Sequence, residues 1–131
     1  MSNYSRVRAV IEKANNASYA NTQTHVIEVT KQYDEGMVGV EIDATTGPAT
    51  TFSLAPWTTI YYLAVENLGT TAATYVTLGY TNAAGATLAI KIPISAEGVS
   101  CHITPDVTVT GNLVLTSSAG VIPCKISVLG T

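Results

Sequence analysis

Apolar and polar positions alternate with period two through most of this chain. Leu88, Ile90 and Ile92 alternate with Thr87, Ala89 and Lys91, and Val38, Val40 and Ile42 alternate with Gly39, Glu41 and Asp43. Alternation of this kind predicts strands with one buried face. Residues 58–67 differ, because Ile60, Tyr62 and Ala64 fill one row while Tyr61, Leu63 and Val65 fill the other. Apolar character on both faces predicts a central strand covered on both sides. Further strands are expected at 25–30, 51–54, 74–80, 99–104, 107–110 and 113–115. A closing strand carries Ile122, Cys124, Ile126 and Val128 on one face. Turn residues punctuate them: residues 33–36, 82–85 and 117–120, Pro105 with Asp106, and Gly111 with Asn112.

The first stretch breaks the pattern. Tyr4, Val7, Ile11 and Ala14 recur at three- and four-residue spacing, which predicts a short helix, although residues 6–12 (RVRAVIE) also tolerate a strand. Residues 15–21 (NNASYAN) read as a polar linker. The expected organisation is an N-terminal arm or short helix over 1–22 and a β domain over 23–131. Short strands with turn signals every 8–12 or so residues predict an all-β fold, a single antiparallel β-sandwich or jelly roll of about 8–10 strands. Jelly-roll and immunoglobulin-like orders are not separated by these signals.

Charge changes this picture. Ten of the fifteen charged residues lie within the first 43, and only Glu66, Lys91, Glu97, Asp106 and Lys125 follow. The whole chain is 11% charged, against about a quarter in ordinary soluble domains. Solvent-facing strand positions therefore hold Thr, Ser, Ala and Asn, a surface suited to packing against other protein. The formal net charge of −3 and the absence of a basic run argue against nucleic acid as a partner. Residues 1–8 lack the apolar run of a secretory signal, and no apolar stretch is long enough for a membrane-spanning helix. Synthesis in the cytoplasm without membrane association is the expectation.

Little of the chain suggests catalysis. His25 and His102 each fall inside a strand pattern, and neighbouring Cys101 and His102 would point to opposite faces. Two Cys and two His at positions 25, 101, 102 and 124 lack the spacing of a zinc site. Asp34 and Glu35 read as a solvated turn rather than a calcium site. Cys101 and Cys124 are expected as free thiols, with a bridge between two strands as the alternative. No enzyme activity, metal or cofactor is expected. The candidate interaction residues are the aromatics Trp57, Tyr61, Tyr75 and Tyr80, together with Tyr4, Val7 and Ile11 on the arm.

Residues 60–71 (IYYLAVENLGTT), 75–80 (YVTLGY), 88–94 (LAIKIPI) and 126–131 (ISVLGT) resemble small β-sandwich virion proteins of tailed bacteriophages. The resemblance spans the region from Trp57 to the end of the chain. Ala96, Glu97 and Gly98 stand where such proteins often hold a Pro-Gly-Glu-like turn. It implies a non-enzymatic virion component made in the host cytoplasm, such as a capsid decoration or minor head or tail protein. It also implies a homo-oligomer, a trimer being common among decoration proteins, with capsid or tail proteins as partners. The alternative is a carbohydrate- or receptor-binding module on a fibre or cell surface, which requires exposed aromatics beside polar groups at one loop end.

Overall fold

A computed structural model describes residues 3–13, 23–33, 35–82, 87–97, 101–107 and 109–131. The linker expected at 15–21 and most of the hairpin connection at 82–85 lie outside these residues. The chain divides into two compact units, Met1–Gln32 and Tyr33–Thr131.

The first unit corrects the helix expectation. Its two elements are strands, β1 (Asn3–Lys13) and β2 (Gln23–Tyr33), joined in a two-stranded sheet. Val7, Val10, Ile11 and Tyr4 all favour extended backbone, and pairing with β2 satisfies the main chain as a helix would. An extended backbone puts positions 7 and 11 in one row and position 4 in the other, so no helical stripe forms. Tyr4, Arg6, Arg8 and Val10 are exposed, and Arg8 Nε lies 3.8 Å from Glu28 Oε2. The side chains of Val7 and Ile11 lie outside the described residues. Residues 23–32, grouped with the β domain on their strand pattern, fall in the same compact unit as β1.

Among its described residues the second unit holds eight strands: β3 (Glu35–Ala44), β4 (Thr50–Ser53), β5 (Ile60–Asn67), β6 (Tyr75–Asn82), β7 (Thr87–Pro93), β8 (Cys101–Val107), β9 (Val109–Ser117) and β10 (Ile122–Gly130). They form two four-stranded antiparallel sheets, β3-β10-β5-β8 and β4-β9-β6-β7. The pairs are nested, first strand with last, second with seventh, third with sixth and fourth with fifth. That is the jelly-roll order, and not the immunoglobulin one. The inner rows of the two sheets meet in one core, with Leu63, Val65, Cys124, Ile126 and Val128 facing Val76, Leu78, Leu113 and Leu115, all fully buried.

Three local departures from the expected pattern have clear causes. In β3, Ile126 pairs with Val40 but Val128 pairs with Met37, so one extra residue bulges out at Gly39. Gly39 takes φ +67°, and its N–H donates to Ser127 Oγ at 2.9 Å. The bulge reverses the alternation, which leaves Val38 75% exposed while Ile42 packs on the core. Pro105, expected in a turn, instead pairs with Tyr62 inside β8. Edge position makes this possible, since proline lacks the N–H a central strand needs. Gly111 and Asn112, also expected as a turn, lie within the continuous strand β9, where Gly111 takes φ +86° at a register shift.

β5 lies inside its sheet between β10 and β8, but its two apolar rows are not covered alike, since exposed Glu66 follows Tyr62 and Ala64 on the outer face. Ile60, Leu63, Val65 and Asn67 are buried on the inner side, and Tyr62, in the opposite row with Ala64, is buried as well. A register shift against Gly130 sets Tyr61 out of alternation and returns Ile60 to the core.

Candidate interaction surface

The outer faces of the two sheets differ in kind. On the first sheet, Lys125 pairs in register with Glu41 on one side and Glu66 on the other, forming a charged row across three strands. Lys125 Nζ lies 4.0 Å from Glu41 Oε1, and exposed Asp43 extends the row's acidic side. On the second sheet, four strands hold one charged residue between them, Lys91. Alternation explains the difference: β6 sends Val76, Leu78 and Tyr80 inward and Tyr75, Thr77, Gly79 and Thr81 outward.

Register ties the outward positions into rows. Thr51 pairs with Val114, Val114 with Gly79, and Gly79 with Ala89, so one row of small uncharged residues crosses all four strands. Beside it, Thr116 pairs with Thr77 and Thr77 with Lys91. Lys91 does not stand out from this surface. Its Nζ lies over the Tyr75 ring, 4.5 Å from the centroid, a cation–π contact that folds the charge back toward β6. The face is nearly neutral and rich in threonine.

The sequence-selected aromatics do not converge. Trp57 and Tyr80 are 7% and 5% exposed and belong to the core, Trp57 stacking on Phe52 with centroids 6.5 Å apart. Tyr61 sits half-buried at the β5 irregularity on the first sheet, and Tyr75 lies half-buried on the neutral face beneath Lys91. Of the four, Tyr75 alone lies on the neutral face of the second sheet. Tyr4 is 67% exposed on the separate first unit.

One end of the sandwich carries a cleft of about 530 Å³ between the β5–β6 and β9–β10 connections. Thr70, Thr71 and Thr74 line one side and Gly120, Val121 and Pro123 the other. The loops are held internally. Thr74 Oγ1 donates to Thr71 O at 2.6 Å, Tyr75 N–H donates to Ser118 Oγ at 2.9 Å, and the Ser117 hydroxyl donates to Gly120 O. The lining includes no aromatic or ionisable side chain, so it lacks the stacking platform that the carbohydrate-binding alternative requires.

Cys124 is buried and free, and burial pushes its thiol up to about 11. A disulfide to Cys101 is ruled out by topology, because β5 lies between β10 and β8. Two strand spacings put the backbones ~9.6 Å apart, beyond the reach of about 7 Å between bridged Cα atoms. The side chains of Cys101 and His102 lie outside the described residues, and His25 is exposed on β2. Among the described residues no group of three or more His, Cys, Asp or Glu gathers to hold a metal ion. No helix of the described residues is long and apolar enough to cross a membrane. Compared with protein-family models, characterised proteins and solved structures, the chain matches none.

Proposed function

We propose that this chain is a non-enzymatic structural assembly protein, a bacteriophage virion component of the capsid-decoration or minor head–tail kind. It would work as a homo-oligomer set against capsid or tail proteins. The observation that carries this reading is the outer face of the second sheet, which crosses four strands with Lys91 as its only charge. A free monomer ordinarily keeps such a surface soluble and unpaired with scattered charge. Here the charge is gathered on the opposite sheet. Jelly rolls serve in viral capsids and in lectins alike, so the fold by itself favours neither. The charge-poor face favours assembly, and the lining of the end cleft offers a sugar no stacking ring.

The test is the solution mass of the purified chain with and without Val114→Asp, read by static light scattering, and its recovery with capsid or tail proteins from purified particles. Val114 is exposed at the centre of the neutral face. Assembly predicts a mass for the native chain that rises with concentration from 13.7 kDa toward a multiple of it. The Val114→Asp variant should shift toward the monomer with its circular dichroism spectrum unchanged. A stable native monomer that binds a glycan would overturn the reading.

A further inference from the structure

The β5–β6 connection, one wall of the end cleft, is anchored at both ends. At its start Leu68 N–H donates to Pro123 O at 2.9 Å and Gly69 N–H to Asn67 Oδ1 at 2.8 Å. At its finish Tyr75 N–H donates to Ser118 Oγ at 2.9 Å, and Ser118 N–H returns to Tyr75 O at 2.9 Å. Residues 70–73, between these anchors, are all exposed. Thr74 N–H and Thr74 Oγ1 both donate to Thr71 O, inside the loop, so neither bond ties it to the sandwich. Ala73 takes φ +60°, alone among the described non-glycine residues in being positive. A residue with a Cβ is uncommon in this left-handed region and persists there where its surroundings hold it. The hold comes from another part of the chain. Glu97, at the end of a 3-10 turn (Ser95–Glu97) that follows β7, accepts the Ala73 N–H through Oε1. Glu97 N–H in turn donates to the carbonyl of buried Ile94 at 3.0 Å, which fixes the turn on the core.

We infer that residues 70–73 form a movable wall of the cleft and that Glu97 is the catch that holds it. Release of the carboxylate lets Ala73 leave the left-handed region. Thr70 and Thr71 then swing away from Gly120 and Val121 on the facing wall, and the cleft widens between fixed ends at Gly69 and Tyr75. The floor does not move with them. Gly69 packs so closely on it that an added methyl would lie 3.1 Å from Ile122 Cγ2 and 3.4 Å from Ile94 Cγ2. The width of the cleft is thus governed by a carboxylate outside its own lining, which holds no ionisable side chain. The device concerns one end of the sandwich and stands apart from the assembly reading, which concerns the neutral sheet face.

Amide hydrogen exchange, followed residue by residue by NMR, tests the catch. It would be run on the native full chain and on Glu97→Ala, Glu97→Gln and the double variant Glu97→Ala/Ala73→Gly. Thr74 N–H is the deciding probe, because it sits in the loop but is not itself bonded to Glu97. In Glu97→Ala it should exchange roughly 5-fold faster or more, the loss of one charge-assisted bond. Gly69, Tyr75 and the core amides of Leu63 and Leu115 should keep their native rates. Glu97→Gln keeps an acceptor oxygen without the charge and should fall between native and Glu97→Ala. Adding Ala73→Gly to Glu97→Ala should return the Thr74 rate toward native, since glycine takes the left-handed region without steric cost. A native Thr74 rate in Glu97→Ala overturns the proposal. So does an acceleration shared by Leu63 and Leu115, because Glu97 would then support the whole fold rather than one wall. Failure of Ala73→Gly to slow the exchange overturns the strained residue as the source of the movement.

Discussion

Gly130 closes the jelly roll, and its replacement by alanine measures how rigid that closure is. The segment before β5 is bonded to the end of the described chain. Thr131 N–H donates to Thr59 O at 2.9 Å, Thr59 N–H donates to Thr131 O at 3.0 Å, and Thr58 Oγ1 donates to the same carbonyl at 2.7 Å. A methyl added at Gly130 would lie 2.1 Å from Thr59 O and 3.0 Å from Trp57 Cδ1. Ordinary carbon–oxygen contacts begin near ~3.3 Å, so the two segments must part by roughly 1 Å and the reciprocal bonds stretch or break.

Losing two or three such bonds, each worth about 1 kcal/mol net, sets against the ~0.4–1 kcal/mol that Gly→Ala gains by stiffening the unfolded chain. Gly130→Ala should therefore destabilise by roughly 1–3 kcal/mol, a fall of roughly 5–15 °C in Tm. Urea unfolding followed by tryptophan fluorescence is the assay, because Trp57 is the only tryptophan and lies against the altered position. Gly79→Ala is the control. A methyl there meets only ordinary contacts of 3.6–3.8 Å, so the change should be neutral or stabilise by up to ~1 kcal/mol. A Gly130→Ala midpoint within ~0.5 kcal/mol of native would refute the close approach and the rigidity inferred from it.

Asn67 is 2% exposed, donates through Nδ2 to Ile92 O at 2.9 Å and accepts Gly69 N–H at 2.8 Å. Asn67→Ala leaves a carbonyl and an N–H without these partners and should cost roughly 2–4 kcal/mol in the same urea titration. Cys124 holds its proton to about 11 in the fold, against an ordinary value of 9.0. The unfolded chain loses that proton first, so this group's contribution is full below pH 9 and declines toward pH 11. In a Cys101→Ser background, thiol labelling at neutral pH should proceed only through unfolding. Adding Cys124→Ala should flatten the alkaline decline.

Period-two alternation made the strands legible because burial on one face leaves a direct trace in residue order. It placed β5 inside its sheet from Ile60, Tyr62 and Ala64 in one row and Tyr61, Leu63 and Val65 in the other, although the register shift at Gly130 moves Ile60 to the core row. It could not show pairing, since Ala44 meets Ile122 and Thr45 bridges Thr116 across most of the chain. Jelly-roll order lives in those long-range partners. The misread positions are those where a local signal met a tertiary exception. Gly39 shifts the phase within β3, Pro105 is tolerated at an edge, and the three- and four-residue spacing of Tyr4, Val7 and Ile11 falls on an extended strand. The burial of Tyr80 was legible, because it shares a row with Val76 and Leu78. Trp57 follows a turn at Pro56, its N–H donating to Leu54 O at 3.1 Å, and alternation says nothing of side chains there.

The shortage of charge after Asp43 was visible in composition, but its meaning depends on register. Four of the charges in the second unit, Glu41, Asp43, Glu66 and Lys125, gather on the outer face of one sheet, and the other sheet keeps Lys91 alone. A threonine-rich face is not strongly hydrophobic, so contact across it gains little per unit area compared with an apolar interface. Its merit is the low cost of desolvation, since no ion has to be stripped of water. Such a face binds weakly in a single encounter and firmly when many copies are held together, because each further contact is then intramolecular. On the assembly reading, the purified chain should associate weakly and with steep concentration dependence. The same contacts become effectively permanent on a repeating surface such as a capsid shell.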